Sequence, residues 1–246
     1  MAAAFETPAF ETPAPEVVAA LVPTGVLRAV INLGNPVLAQ GTPDAPTGVT
    51  VDLAREIGAR LGVPVALECV DAARLSFAAV AEGAVDVGFL AAEPARAAEV
   101  AFTAPYVLIE GVFAVPASAP LATAADVDRP GVRVGVKEGS AYDLYLTRTL
   151  EHARVVRGAE GTDVFEAEGL EVAAGIRQPL TRWADARGDV RVLEPRFTEI
   201  RQAVATGRDR DPAAIAYLSA VVEQLKASGY VAEALRRSGQ DATVPA

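Results

Sequence analysis

The sequence predicts an α/β protein built as two lobes, each a mostly parallel sheet flanked by helices, with crossover strands joining them. Three observations predict it. Short apolar runs alternate with helix-period segments along most of the 246 residues, the pattern of βα units and parallel sheets. The alternation falls into two series separated by a segment near 107–117. A second connection near 193–203 returns the chain, and two crossings make a hinge with a cleft between the lobes. The expected division is an N-terminal extension over 1–24, a discontinuous first lobe over 25–110 and 201–246, and a second lobe over 111–200.

The elements follow in order. The repeated AFETP (4–8 and 9–13), with Pro15, predicts an extended start. VLRAVINL (26–33) is the first strand, and a loop rich in Pro, Gly and Asn follows over 34–48. A helix then begins, with Thr50 as its N-cap and Asp52 in its first turn, where a carboxylate suits the helix dipole. Leu53, Ile57 and Leu61 recur every four residues and form its core face. Gly62 stops it and Pro64 prevents a restart. VPVALECV (63–70) is a strand, with Cys69 as a small core residue; 75–82 is a helix closed by Gly83. VDVGFLA (85–91) reads as a strand buried on both faces, and Glu93-Pro94 opens a short helix. This β-α-β-α-β order builds a parallel sheet.

GVFAVPA (111–117) is the crossover strand. In the second series, strand VRVGVK (132–137) leads into a helix over 138–153 with a core face at Leu144, Thr147 and Leu150. A brief strand at Val155-Val156 precedes a stretch of Gly and acids, and EVAAGI (171–176) is the next strand. Pro179 starts a helix carrying Trp183, which with Tyr217 reads as a core anchor. Residues 191–193 and 199–205 read as strands. Arg208-Asp209-Arg210-Asp211 reads as a solvated turn, and Asp211-Pro212 caps a helix ending at Ser228-Gly229. A final short helix ends at Gly239.

Composition narrows the function. A formal charge of −10 argues against a nucleic-acid or anionic-membrane partner, because both need a basic face. One His and one Cys cannot supply a His/Cys metal cluster, and no phosphate-binding loop spacing occurs, so no cofactor is expected. No run approaches the ~18 apolar residues of a spanning helix, and no secretory signal pattern opens the chain. The expectation is a protein without membrane insertion, and a monomer. Catalytic triads find no support: His152 lies late in a helix on a solvated face, and no nucleophile elbow exists.

Candidate ligand groups sit where open α/β sheets bind, beyond the carboxyl ends of strands. Arg96 follows strand 85–91 and offers a planar grip on a carboxylate; pairing with Glu93 or Glu99 on the surface is the competing reading. Gly139-Ser140 opens a helix after a strand, either as an anion seat or as a simple N-cap. Arg177 and Gln178 end strand 171–176 and reach the cleft, unless Arg177 pairs with Glu168 or Asp185. Asn32 and Asn35 end the first strand, as ligand-orienting amides or as turn formers before Pro36.

From 25 to 239 the chain resembles the family 3 extracellular solute-binding proteins, the type 2 periplasmic-binding-protein fold that serves ABC transporters. The landmarks are GVLRAVIN, GVTVDLAREIGARLGVPV, EGAVDVGFLA, EPARAAEVAFTAPYV, ADVDRPGVRVGVKEGSAYDLYL and LKASGYVAEAL, in family order. The resemblance implies that Arg96 of Pro94-Ala95-Arg96 grips a ligand carboxylate. It implies that Gly139-Ser140-Ala141 binds the same group, and that backbone groups from Leu90 to Ala92, Ala91 among them, complete the seat. The family's acid for the ligand's amino group aligns with Arg177, which predicts an anionic solute with a second negative group on Arg177. Glu110 on the crossover strand is expected to accept from a ligand donor. An ABC permease is the implied partner and the periplasm the implied compartment, with the cytoplasm open in the absence of a signal. The alternative is an enzyme on the same scaffold, a cyclohexadienyl dehydratase-like lyase using Glu93 or Glu110 as its acid.

Overall fold

A computed structural model describes residues 13–246. The AFETP repeat lies outside them apart from Pro13. Pro15 does not extend the chain. It stands at the first turn of helix α1 (Pro15–Leu21), where a missing N–H costs nothing. The first βα series comprises β1 (Leu27–Asn32), β2 (Gln40–Thr42), β3 (Ala45–Thr47), α2 (Val49–Leu61), β4 (Val65–Val70), α3 (Ala73–Ala81), β5 (Val87–Ala91) and α4 (Pro94–Ala97). Then come β6 (Val100–Pro116), β7 (Arg133–Lys137), α5 (Ala141–Thr149), β8 (Arg154–Gly158), α6 (Gly161–Glu168), β9 (Val172–Ile176), α7 (Arg177–Arg187), β10 (Val190–Val192) and β11 (Thr198–Gly207). Helices α8 (Pro212–Ala227) and α9 (Tyr230–Arg237) follow.

One sheet runs through the described residues in the order β4-β1-β5-β11-β6-β9-β7-β8, with β10 pairing β6. Its two outer thirds are parallel: β1 with β4 and β5, and β7 with β8 and β9. Two long antiparallel strands join them. β6 pairs β11 over Val100 to Gly111, then passes to β9 over Gly111 to Ala114. β11 pairs β5 on its other side. The crossover strand is therefore longer than 111–117, and the crossing continues the sheet instead of leaving two separate ones.

Several local readings shift for physical reasons. The N-cap of α2 is Gly48, with φ 107°, and Thr50 sits in the helix with its hydroxyl donated to Leu38 O at 3.1 Å. The loop 34–48 contains the β2–β3 hairpin. In α5 the buried residues include Tyr142 and Leu146, not the set Leu144, Thr147 and Leu150, because the helix starts at Ala141 and stops at Thr149. His152 lies beyond the helix. The acid-rich stretch after β8 forms α6, whose Phe165 packs edge-on against Trp183 at 5.6 Å. Cys69 is half-buried, since β4 is an edge strand. The Arg208–Asp211 run is more than a turn. Arg208 donates to Ala98 O at 3.0 Å at the end of α4, and Arg210 to Asp86 Oδ1 at 2.9 Å, while Asp211 caps α8.

Candidate ligand-binding cavity

Two parallel strands from each half of the sheet, β1 with β5 and β7 with β9, end at one cavity of about 410 Å³. Asn32 of β1, Ala91 of β5, Lys137 of β7 and Ile176 of β9 are their last residues, and all four line it. That is the place open α/β sheets offer a ligand. The volume lies within the roughly 300–1,000 Å³ common for small-molecule sites.

Arg96 lines this cavity and is 3% exposed. Pro94 at the first turn of α4 fixes the short helix, which turns Arg96 inward, away from Glu93 and Glu99. Its Nη1 donates to Ala91 O at 3.3 Å, and its Nη2 to Gly139 O at 2.9 Å, so the guanidinium touches both halves of the sheet. Among the described residues no carboxylate is in ion-pair contact with it. Burial lowers its pKa to about 10, opposed by the charge of Glu93. The group therefore stays cationic at neutral pH. Glu93 itself pairs with Arg148 of α5 at 3.1 Å, a second link between the halves.

Across from Arg96 the first turn of α5 borders the cavity with Ser140, Ala141 and Tyr142. Ser140 Oγ accepts from Asp143 N at 3.1 Å, so it is a cap, and it also lines the site. The cap leaves the Ala141 and Tyr142 N–H groups without an intrahelical acceptor. Gly161 and Thr162 bring the first turn of α6 to the same cavity. Two helix N-termini and a buried guanidinium converge, an arrangement suited to an anion.

Asn32 and Asn35 line the cavity too, and they are turn formers as well: Asn32 Oδ1 accepts from Gly34 N at 3.0 Å, Asn35 Oδ1 from Val37 N at 3.3 Å. Three expected site residues do not line it. Arg177, the first residue of α7, turns to Glu110 and Glu194; its pKa is raised, first by the hydrogen bond to Glu194 and then, against desolvation, by that to Glu110. Glu110 also takes Arg196 at 2.8 Å. These opposite charges satisfy one another around Glu110 of β6 and outside the cavity lining, unlike the expectation for Arg177 and Glu110. Gln178 donates Nε2 to Asp241 O at 2.6 Å, and its Oε1 is buried without a partner.

Sequence reasoning missed Phe89, Ile176, Trp183, Ile200 and Gln202, all of which line the cavity. Trp183 is half-buried with Nε1 donated to Glu166, so it is not a simple core anchor. The last residue of each parallel strand was a usable signal for Ile176. Nothing local marks Gln202, which enters at a register shift between β11 and β6.

Two parallel-sheet halves, two joining strands and a cleft between their strand ends define a two-lobed binding protein of the type 2 periplasmic-binding-protein fold. The family model of bacterial extracellular solute-binding proteins, family 3, matches residues 29–240, and the chain belongs to that family. Among solved structures it is similar to the P235GK mutant of ArgBP from T. maritima (20% identity, TM-score 0.73, 91% of this chain and 99% of that one). It is also similar to the solute receptor for L-cysteine of Neisseria gonorrhoeae (20%, 0.74, 90% and 92%). A third is the ancestral amino acid-binding protein AncCDT-1, a precursor of cyclohexadienyl dehydratase (19%, 0.72, 89% and 97%). No curated protein matches the chain in sequence. Among the described residues no helix is long and apolar enough to cross a membrane.

Proposed function

We propose that the protein closes two lobes, 25–110 with 201–246 and 111–200, over a small carboxylate-bearing anion and delivers it to an ABC-type permease. One observation carries this reading: a buried Arg96, facing a cavity and, among the described residues, hydrogen-bonded only to backbone carbonyls. A buried charge without a counter-charge is costly, and an anion in the cavity offsets that cost. Each charge-assisted hydrogen bond contributes about 1.5–3 kcal/mol. A micromolar complex needs about 8 kcal/mol, so Arg96 and the α5 first turn supply much of it. The family and the amino acid-binding relatives support solute binding and an extracytoplasmic site of action.

The dehydratase alternative loses its assigned acids. Glu93 is held by Arg148, Glu110 by Arg177 and Arg196, and neither lines the cavity. A thermal-shift screen of amino acids, monocarboxylates and dicarboxylates finds the ligand, because binding to the folded state alone raises the melting point. With the best ligand in hand, Arg96→Ala is expected to weaken binding at least tenfold by calorimetry while the circular dichroism spectrum is kept. Unchanged affinity removes Arg96 from the site.

A further inference from the structure

We propose that the solute is a monocarboxylate with an apolar body and no ammonium group, an inference that rests on the carboxylate seat at Arg96. Charge is the first reason. Among the described residues, four ionised side chains border the cavity: Arg96, Lys137, Glu138 and Glu160. Lys137 and Glu160 pair with each other. Glu138 is exposed, and with Glu160 it also borders a second, smaller cavity of about 270 Å³, which places both at the mouth. Inside, one positive charge stands uncompensated, which suits one negative charge and not two.

Hydrogen-bond direction is the second reason. The side-chain oxygens of Asn32 and Asn35 already accept from Gly34 N and Val37 N. Each oxygen keeps a second lone pair, and the two NH₂ groups together offer four donors. Ser140 Oγ accepts from Asp143 N and keeps its hydroxyl hydrogen to donate, whereas Thr50 spends its hydrogen on Leu38 O and can only accept. The first turns of α5 and α6 add backbone donors. Donors thus outnumber acceptors in the polar surroundings, where Gln202 adds an amide with both kinds of group. They complement a carboxylate and further acceptor oxygens. An ammonium brings three more donors and a second positive charge next to Arg96, and it finds no carboxylate inside to offset its lost hydration.

The third reason is the opposite wall. Ile176 stands at the end of β9 where the cavity is lined, while the neighbouring Arg177 is turned out to Glu110 and Glu194. Phe89, Leu180, Trp183 and Ile200 line the cavity with it. An aliphatic or aromatic body gains from burial there, and a polar one does not.

Calorimetry on the full chain at neutral pH tests this with matched pairs: 4-methylpentanoate and 2-oxo-4-methylpentanoate against leucine, and 3-phenylpropanoate against phenylalanine, with glutarate as the dianion. The expected result is that the deaminated member of each pair binds at least tenfold tighter than its amino acid. Glutarate is expected to bind no tighter than the monocarboxylates. An amino acid or glutarate that binds tightest, and loses that binding in Arg96→Ala, overturns this inference and leaves the carboxylate seat standing. If no carboxylate of any class binds, both fall.

Discussion

Arg96 and Asp86 are buried charges with opposite situations. Arg96 has carbonyls and no counter-charge. Asp86, 0% exposed, is enclosed by cations: its Oδ1 accepts from Arg28 Nη2 at 2.8 Å and from Arg210 Nη2 at 2.9 Å, its Oδ2 from Arg28 N at 2.9 Å. Burial would raise its pKa, but the side-chain and backbone hydrogen bonds of Arg28 and that of Arg210 outweigh it, so the pKa is lowered. A depressed carboxylate stabilises the fold above its unfolded pKa and loses that contribution as pH falls through its folded value. Asp86→Asn, which leaves two arginines unpaired, is expected to destabilise by about 3 kcal/mol at pH 7. The gap to the parent should narrow as pH falls below 4. Denaturant melts across pH check this, and a gap independent of pH refutes it. One residue marks a site and the other a clamp, because a charge already satisfied by protein has nothing left for a ligand.

At the level of elements, α6 shows how closely the site is built. Gly161 opens it against β7 and β9: a Cβ there would stand 2.9 Å from both Ala174 O and Gly135 O. Only glycine lets the helix start press on two strands and present its first turn to the cavity. Gly161→Ala is expected to cost about 1–3 kcal/mol through forced backbone shifts, and to weaken the cognate ligand as well. Thermal melts and calorimetry read the two effects separately; a variant as stable as the parent contradicts the packing. Arg208 has a related part, since its bonds to the last carbonyls of α4 steady the short helix that aims Arg96. A four-residue helix cannot hold its own position, so its support comes from a residue more than a hundred positions away.

For the molecule as a whole, a few named contacts join the two halves across the cavity. Arg148 of α5 with Glu93, and Arg96 with Gly139 O, link across the cleft. Arg148 is half exposed, so its pair contributes at most about 1 kcal/mol. In the proposed closure the pair forms as the halves meet, so its energy adds to ligand affinity. Arg148→Ala is expected to weaken binding by about two- to fivefold, mainly through faster release, with the effect fading at high salt. Stopped-flow release at two ionic strengths decides it; identical release rates refute the latch. Around Glu110 of β6, the cluster of Arg177, Glu194 and Arg196 occupies charges that sequence reasoning assigned to the ligand.

The sequence by itself determined the alternation of strands and helices, the two series and the positions of Arg96, Ser140, Ala91, Asn32 and Asn35 at strand and helix ends. Those follow from local rules: apolar period, glycine stops and proline starts act within a few residues. It also held the family landmarks in order. Tertiary structure alone decided that β6 and β11 fuse the halves into one sheet, and that Arg177, Glu110 and Gln178 turn away while Ile176, Phe89 and Trp183 turn in. Which partner a charged side chain takes depends on chain segments far apart in sequence. The direction a residue faces at a strand end depends on the helix that follows, and neither is written in its neighbours.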